Sequence, residues 1–574
     1  VPARQVPGTY PSRVYSGERP TSFSESPRSA QMVKDGTIPA LDDRVPSADQ
    51  RLIEDVVDEI GVYGGTWRRA DNYYYHMGIV NRSDCILEDY DAFTYAPYTC
   101  ADFEITEGGR KFVFTLREGH KWSDGEPFTV ADVAFAWEDL NYMTAVPGPH
   151  PEQYKGWAPS SYRDPVTGND PTFTVEDDVT FSVGFDSPHF QFLVALAHTR
   201  GSRCRYKCFT SPKHYASQFH PKYADPAELT KLIKDGEHKD WTDLFLTRNE
   251  MYLGYQSALP WIGPYVNIGG SGLTDNFSDY EPNPYFIGFD PMGNQLPYTY
   301  GMYLTKHDSH EVAVFRAMAG EHDAGVHGFS VLELPMYQSN MEKGDYSLYS
   351  WAGRGRDGVM TFNMTYNEDP EIGYWMRTRD FRRALSYVVD RDALNQILHL
   401  GLATTHSLAP SVGQSPWAPG GDTATAYTTY DIDTANSMLD ALKLVDTDGD
   451  GLRNRTGVLG GDTGNLEFYA EIATNDPSAA KAQLIKEGLE AVGIGFDFKV
   501  NANYYQAIRA NTEYFDVGAG SNHNPWTGTI VTKSGGHQAP AIGKWFETQG
   551  NCDYPECEGP TGGQDDVLPK APSN

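Results

Sequence analysis

The chain reads as a mixed α/β protein built from more than one lobe. Short stretches with a strand period alternate with helical ones along most of its 574 residues, and a chain of that length exceeds one ordinary hydrophobic core, so two or three lobes are expected. The clearest unit is Phe112–Trp137. Phe112, Phe114 and Leu116 alternate with Val113, Thr115 and Arg117, a strand period, and Ser123-Asp124-Gly125 supplies the turn chemistry that ends it. Thr129 then stands three residues before Asp132, so its hydroxyl can accept an orphan backbone N–H while the carboxylate reaches back toward Thr129. Val130, Val133, Ala134 and Trp137 give the helix that follows one apolar face.

Taken in order, residues 1–25 are rich in Pro, Ser, Arg and Gly with no apolar period and read as a flexible or surface-draped arm. Leu116 to Phe135 closely resembles the signature of the family 5 extracellular solute-binding proteins of ABC importers, "LR-x-G-x-x-(W/F)-x-DG-x-P-(F/L)-T-A-x-DV-x-F", with Val130 where an Ala is expected. The stretch from Phe23 through Ile60-Gly-Val-Tyr-Gly-Gly-Thr-Trp67 resembles the N-terminal segment of the longer members, in which a "YGGT" strand opens the first lobe. Further similar blocks follow at Pro212-Lys-His-Tyr215, Phe219–Tyr223, Gly263-Pro264, Asn283–Phe286, Asn294–Tyr298 and Gly320–Asp323. Another is Arg382–Arg391, which reads as one amphipathic helix with Ala384, Leu385 and Val388 on its apolar face. Trp545–Gly550 resembles a segment that relatives follow with many tens more residues, whereas this sequence stops at Asn574, so the final crossing back into the first lobe is expected to be shortened in this chain or not included in it.

The resemblance implies a type II periplasmic-binding-protein clam of three lobes, with a hinge and an interlobe ligand cleft. After the arm at 1–25, the discontinuous first lobe is placed at 26–95, 205–302 and 536–574, the inserted second lobe at 96–204, and the distal third lobe at 303–535. It also implies an exported, periplasmic chain that catalyses no reaction, carries no cofactor beyond a possible structural calcium, and hands an oligopeptide or oligosaccharide to ABC permease subunits as a monomer. Val1-Pro-Ala-Arg-Gln does not resemble a signal peptide, so an export signal is expected to have been removed.

Composition narrows the partners. With 78 acidic against 46 basic residues the formal charge is −32, which repels phosphate backbones and anionic head groups and excludes nucleic acid. No run of about 18 apolar residues exists to span a membrane. Six cysteines fall in close pairs, Cys85/Cys100, Cys204/Cys208 and Cys552/Cys557, which suit local disulfides in an oxidising compartment. A metal reading of the last two pairs lacks the x-x spacing of a zinc ribbon and a neighbouring His pair. No cysteine precedes Cys85, so a free protein without an N-terminal lipid anchor is expected.

Several motifs invite chemistry. Gly353-Arg-Gly355-Arg-Asp-Gly358 matches G-x-G-x-x-G, but Val359–Tyr366 after it alternates as a strand where a dinucleotide site needs a helix, so these are turn glycines. His310-Glu311 lacks the second His of a zincin, because Val314 stands there. Asp446-Thr-Asp448-Gly-Asp450-Gly451-Leu452-Arg-Asn454 matches the first half of a calcium loop: carboxylates at positions 1, 3 and 5, Gly at 6, the Leu452 carbonyl at 7 and Asn454 at 9, with Gly457 in place of the bidentate Glu at 12. The rival reading is an Asp/Gly-rich connection out of a helix over 437–444.

The ligand candidates are aromatic and neutral. Tyr73, Tyr74 and Tyr75 cluster after the opening strand, and Trp351, Trp417 and Trp526 fall near expected lobe edges, where flat apolar faces suit a cleft. Asp516–Pro525 resembles the strand and loop that, in peptide-binding members, presents an Asp to the α-ammonium four residues before a Pro. Here Ser521 holds that position, followed by Asn522, His523 and Asn524. A buried ammonium without a carboxylate is poorly compensated, so neutral hydrogen bonds to a sugar are the expected use of this loop, with a peptide read through another acid such as Asp71 as the alternative. A secreted hydrolase of the same oligomers, or a scaffold that kept the fold without a ligand, are the rival readings.

Overall fold

A computed structural model describes residues 15–56, 59–70, 82–88, 94–141, 162–197, 209–249, 258–270, 275–323, 330–349, 361–362, 369–405, 407, 425–460, 463–473, 478–501 and 515–516. They divide into two compact units: the described residues up to 349 without 330–334, and 330–334 with those from 361 on.

In the first unit the strands are, in chain order, β1 (Leu52–Ile53), β2 (Trp67–Ala70), β3 (Ile86–Glu88), β4 (Tyr95–Pro97), β5 (Cys100–Thr106), β6 (Lys111–Leu116), β7 (Thr172–Val175), β8 (Thr180–Gly184), β9 (Tyr265–Gly269), β10 (Phe277–Pro282), β11 (Gly288–Phe289) and β12 (Met302–Thr305). One four-stranded sheet has the order β2-β12-β10-β9. In it β2 runs parallel to β12, Trp67 opposite Met302 and Ala70 opposite Thr305, and the chain leaves this sheet after β2 and returns to it at β9. The other, β5-β6-β8-β7, is antiparallel throughout.

The strand period of Phe112–Leu116 is realised. Phe112, Phe114 and Leu116 face a core with Phe181, Val183, Tyr162, Phe192 and Trp137, while Lys111, Val113 and Thr115 point away. The capping box is realised as well: Thr129 Oγ1 accepts from Ala131 N at 3.3 Å and Asp132 Oδ2 from Thr129 N at 3.0 Å. Helix Val130–Ala134 then widens into a π-helical stretch, Phe135–Asn141. The apolar surface is consequently broader than one face. Ala136 and Trp137 stay in the first core, while Phe135 and Leu140 enter a second one with Ala216, Phe219, Leu244 and Phe245.

The end of the expected arm is docked on this unit. Arg19 donates to the carbonyls of Ala48 and Arg51 at 2.9 and 2.7 Å, and Phe23 lies edge-on to Phe289 with the Arg51 guanidinium 4.5 Å from its ring centre. Gly293, at φ +83, lets the chain pass Ser22, whose carbonyl oxygen would lie 2.1 Å from any Cβ there.

The second unit contains β13 (Thr361–Phe362), β14 (Glu467–Ala473), β15 (Gly495–Asn501) and β16 (Phe515–Asp516). β14 and β15 pair in parallel from Glu467/Gly495 to Ala473/Asn501 and carry Phe468, Ala470 and Phe496 into a core built with helices Pro370–Arg377, Arg379–Tyr387, Arg391–His399, Ile432–Ala441 and Ser478–Ala491. The single helix expected over Arg382–Arg391 is two. The first ends at Tyr387 with Val388 as C-cap, and Asp390 restarts the chain by accepting from Ala393 N at 2.8 Å. A carboxylate cap outcompetes continuation because it satisfies the orphan N–H groups of a new helix.

Irregular segments in both units are held by buried arginines. Arg117, 8% exposed, donates from Nε to Tyr98 O at 2.8 Å and from a terminal nitrogen to Gln50 O at 2.9 Å. Burial, helped by the nearby charge of Arg19, pulls its pKa down to about 10, which leaves it protonated at neutral pH. Arg44, fully buried, reaches Pro284 O, Pro39 O, Gln295 and Glu25. In the second unit Arg453 binds Val492 O, Leu444 O, Asp440 and Asn436.

Replacing Arg117 by Met should leave two buried carbonyls unpaired and cost roughly 2–5 kcal/mol in denaturant unfolding of the first unit. Arg117→Lys should recover only part, because a single ammonium does not reproduce the planar fork. Wild-type stability in the Lys variant would contradict the clamp.

Candidate functional site

The signature block is a structural junction with a polar rim. Its turn is tied to a distant strand entry: Ser123 N donates to Trp261 O at 2.9 Å and Ser123 Oγ accepts from Trp261 N at 3.0 Å. Gly125, at φ +92, sits with Tyr285 Oη 3.1 Å from where a Cβ would be. Asp132, besides capping its own helix, accepts from Lys213 N at 2.9 Å through its other oxygen. That bond fastens the start of helix Lys213–Ala216, and the next residue, His214, places Nε2 2.8 Å from Asp124 Oδ2 beside the Trp122 ring. The hydrogen bond to Asp124 raises the His214 pKa against the opposing effect of burial. Burial pushes Asp124 up, but the bonds from His214 and Glu126 N carry it below the usual carboxylate value. The pair was present in the sequence as two separate blocks, the Asp-Gly turn and Pro212-Lys-His-Tyr215, with nothing in their spacing to join them.

Of the three expected disulfides, the structure describes Cys85–Cys100, a fully buried bridge with Cα atoms 4.8 Å apart that joins the start of the β3–β4 hairpin to β5. Cys204, Cys208, Cys552 and Cys557 lie outside the described residues. So do the ligand candidates Tyr73, Tyr74, Tyr75, Trp351, Trp417, Ser521, Asn522, His523, Asn524 and Trp526, together with the Gly353–Gly358 motif.

The calcium-like loop is described in full and follows helix Ile432–Ala441, which ends earlier than the helix read over 437–444. It brings Asp446, Asp448 and Asp450 together, all exposed, with one carboxylate oxygen of each within 4.8 Å of the others. The loop is closed by its own backbone. Asp446 accepts from Gly449 N at 2.6 Å and Gly451 N at 3.0 Å, bonds that hold its carboxyl below the ordinary value. Asp450 accepts from Leu452 N and from Asn465 Nδ2. Asn454 Oδ1, the expected ninth-position ligand, accepts instead from Thr447 N at 2.6 Å and Thr447 Oγ1 at 2.7 Å. Three carboxylates therefore converge, Asn454 Oδ1 is turned toward Thr447, and Gly457 offers no side chain at the twelfth position.

Asp446→Ala should lower the unfolding temperature of the second unit by a few degrees in calcium-free buffer, since the loop is shaped by that carboxylate's backbone bonds. Chelator should leave the wild-type melting temperature where it is. A rise on adding micromolar calcium, lost in Asp446→Ala, would show that an ion completes the loop.

The family model described as bacterial extracellular solute-binding proteins, family 5 Middle, matches residues 94–529. The periplasmic alpha-galactoside-binding protein of Rhizobium meliloti (strain 1021) is 28% identical over 472 residues, 75% of this chain and 61% of that protein, so the chain spans about three-fifths of that relative's length. The periplasmic oligopeptide-binding protein OppA of Salmonella typhimurium is 30% identical over 151 residues, 25% of this chain and 26% of that one. Among solved structures, an oligopeptide-binding protein OppA superposes with a TM-score of 0.67 at 25% identity, covering 92% of this chain and 81% of that one. The periplasmic binding protein MelB of agrobacterium fabrum C58, solved with stachyose, gives 0.61 at 20% identity over 89% of this chain and 77% of that one. The expected type II periplasmic-binding-protein fold is thereby established. The chain belongs to the bacterial extracellular solute-binding proteins of family 5.

Proposed function

We propose that this chain is the solute-capturing component of an ABC importer, closing two lobes on an oligomeric ligand and delivering it to membrane permease subunits outside the cytoplasmic membrane. The observation that carries this is the family match over residues 94–529. Among the described residues no helix is long and apolar enough to cross a membrane, in keeping with a chain that works beside its permease. Closure is a hinge motion stabilised by the ligand's greater affinity for the closed state, and it requires no chemistry from the protein.

For the ligand we propose a neutral oligosaccharide. Ser521 stands where the resemblance to peptide-binding members calls for an Asp, and Asn522, His523 and Asn524 offer uncharged hydrogen-bonding groups. The extended similarity to an alpha-galactoside-binding protein supports the same class. Tyr73–Tyr75, Trp351, Trp417 and Trp526 would supply faces for sugar C–H surfaces. An oligopeptide is the second reading, favoured by the superposition on OppA.

Isothermal calorimetry should give one saturable site per chain for an oligosaccharide such as stachyose, with no product after prolonged incubation. Ser521→Asp should weaken that site by about tenfold, through a desolvated carboxylate with no counter-charge. Tight binding of short peptides that N-terminal acetylation abolishes would overturn the ligand class, and turnover of either oligomer would overturn the binding-protein reading.

A further inference from the structure

The turn of the signature block carries a buried histidine. His120 N donates to Arg117 O at 3.2 Å and its carbonyl accepts from Phe128 N at 2.9 Å, while Trp122 N donates to Glu126 O at 2.8 Å, so residues 120–128 fold back on themselves as a short ladder. His120 is 1% exposed, and Phe128 meets its ring edge-on at 5.1 Å and that of Trp122 at 5.5 Å. Neither Nδ1 nor Nε2 has a hydrogen-bond partner among the described residues. A neutral imidazole keeps one N–H and one lone pair, and both are left unpaired here, a cost that an apolar side chain would not carry.

The charges around the ring do not invite a proton. Arg117, whose guanidinium is bound to the carbonyls of Tyr98 and Gln50, repels one. Gly119 lies against Pro46, whose carbonyl accepts from Arg51 Nε at 2.9 Å, and the charge of Arg51 is met by Asp42 at 2.7 Å. Lys121 turns its Nζ to Asp43 O at 2.6 Å. Of the carboxylates in the block, Glu118 and Glu126 are exposed, Asp124 is engaged by His214, and Asp132 by Thr129 N and Lys213 N. Burial, with the repulsion from Arg117, pulls the His120 pKa down to about 3.

Acid therefore works against the closed turn. An open form, with His120 in water, takes up a proton at about pH 6.5, while the closed form stays neutral. Above that pH neither form binds the proton and the closed turn has its full stability. Below it the open form alone is protonated, and closure weakens progressively down to about pH 3. His214 acts in the opposite sense, because its pKa is raised: the stability from its contact with Asp124 is fully present below about pH 6.5 and is lost as the pH rises through its folded value. Between about pH 6 and pH 5, where His214 is protonated in both forms, the two effects do not compete.

We propose that His120 makes the signature turn an acid-released latch: the closed turn excludes a proton that the open turn accepts, so acidification loosens the strand entry that Ser123 holds at Trp261. The latch depends on neither the calcium-like loop nor the solute reading. Backbone hydrogen exchange of the full chain should show the protection of the Trp122 and Phe128 amides, corrected for intrinsic exchange, falling about tenfold per pH unit between pH 6 and pH 5. His120→Leu should remove that slope and leave protection at pH 7.5 equal or higher, since it deletes two unpaired nitrogens. Other titrating groups act alike in parent and variant, so the difference between the two belongs to His120. A slope that persists in His120→Leu overturns the proposal, and so does lower protection of that variant at pH 7.5, which would show the ring nitrogens to be bonded. Should the variant fail to fold, the slow exchange of the His120 Cε1 hydrogen in the unsubstituted chain decides. It is read by mass spectrometry on a peptide free of other histidines, since none stands between His76 and His150 except His120. No midpoint above pH 5 is expected, and a midpoint near pH 6.5 overturns the latch.

Discussion

Long irregular segments leave backbone carbonyls that no strand or helix will pair, and this chain answers them with buried guanidinium groups. Arg117 is the central case. It leaves the end of β6 and joins the carbonyl of Tyr98, before β5, to that of Gln50, before β1. A planar group with five donors can satisfy several acceptors at fixed angles, which a lysine cannot. Its charge is tolerated because carbonyl dipoles replace the water it has lost. Arg44 does the same for the turn at Pro284 and for the arm through Glu25, and Arg453 for the connection between Leu444 and Val492.

This explains the character of the signature block. Four of its polar residues have partners far away in sequence: Arg117 with Gln50, Ser123 with Trp261, Asp124 with His214, Asp132 with Lys213. Loss of any one would unfasten two elements at once, so the pattern identifies a family by its scaffold while saying little about the ligand.

The legible parts of the sequence were those decided locally. The alternation of Phe112, Phe114 and Leu116 and the Thr129/Asp132 box need only neighbouring residues to act, and both are present as read. Local reasoning failed where tertiary demands intervened. Arg382–Arg391 carries a continuous helical period, yet Asp390 is a better cap than an interior residue, and the chain breaks there. The His214–Asp124 pair was invisible because its members come together only through folding, across 90 residues.

The central claim is that the chain retains an intact solute without transforming it. Native mass spectrometry of the protein purified without denaturation tests this most directly. The account predicts a single adduct per chain that dissociates on activation as an intact neutral oligosaccharide. Release of a mixture of peptides would contradict the ligand class, and recovery of cleaved oligomers from a chain that consumes them would contradict the account as a whole.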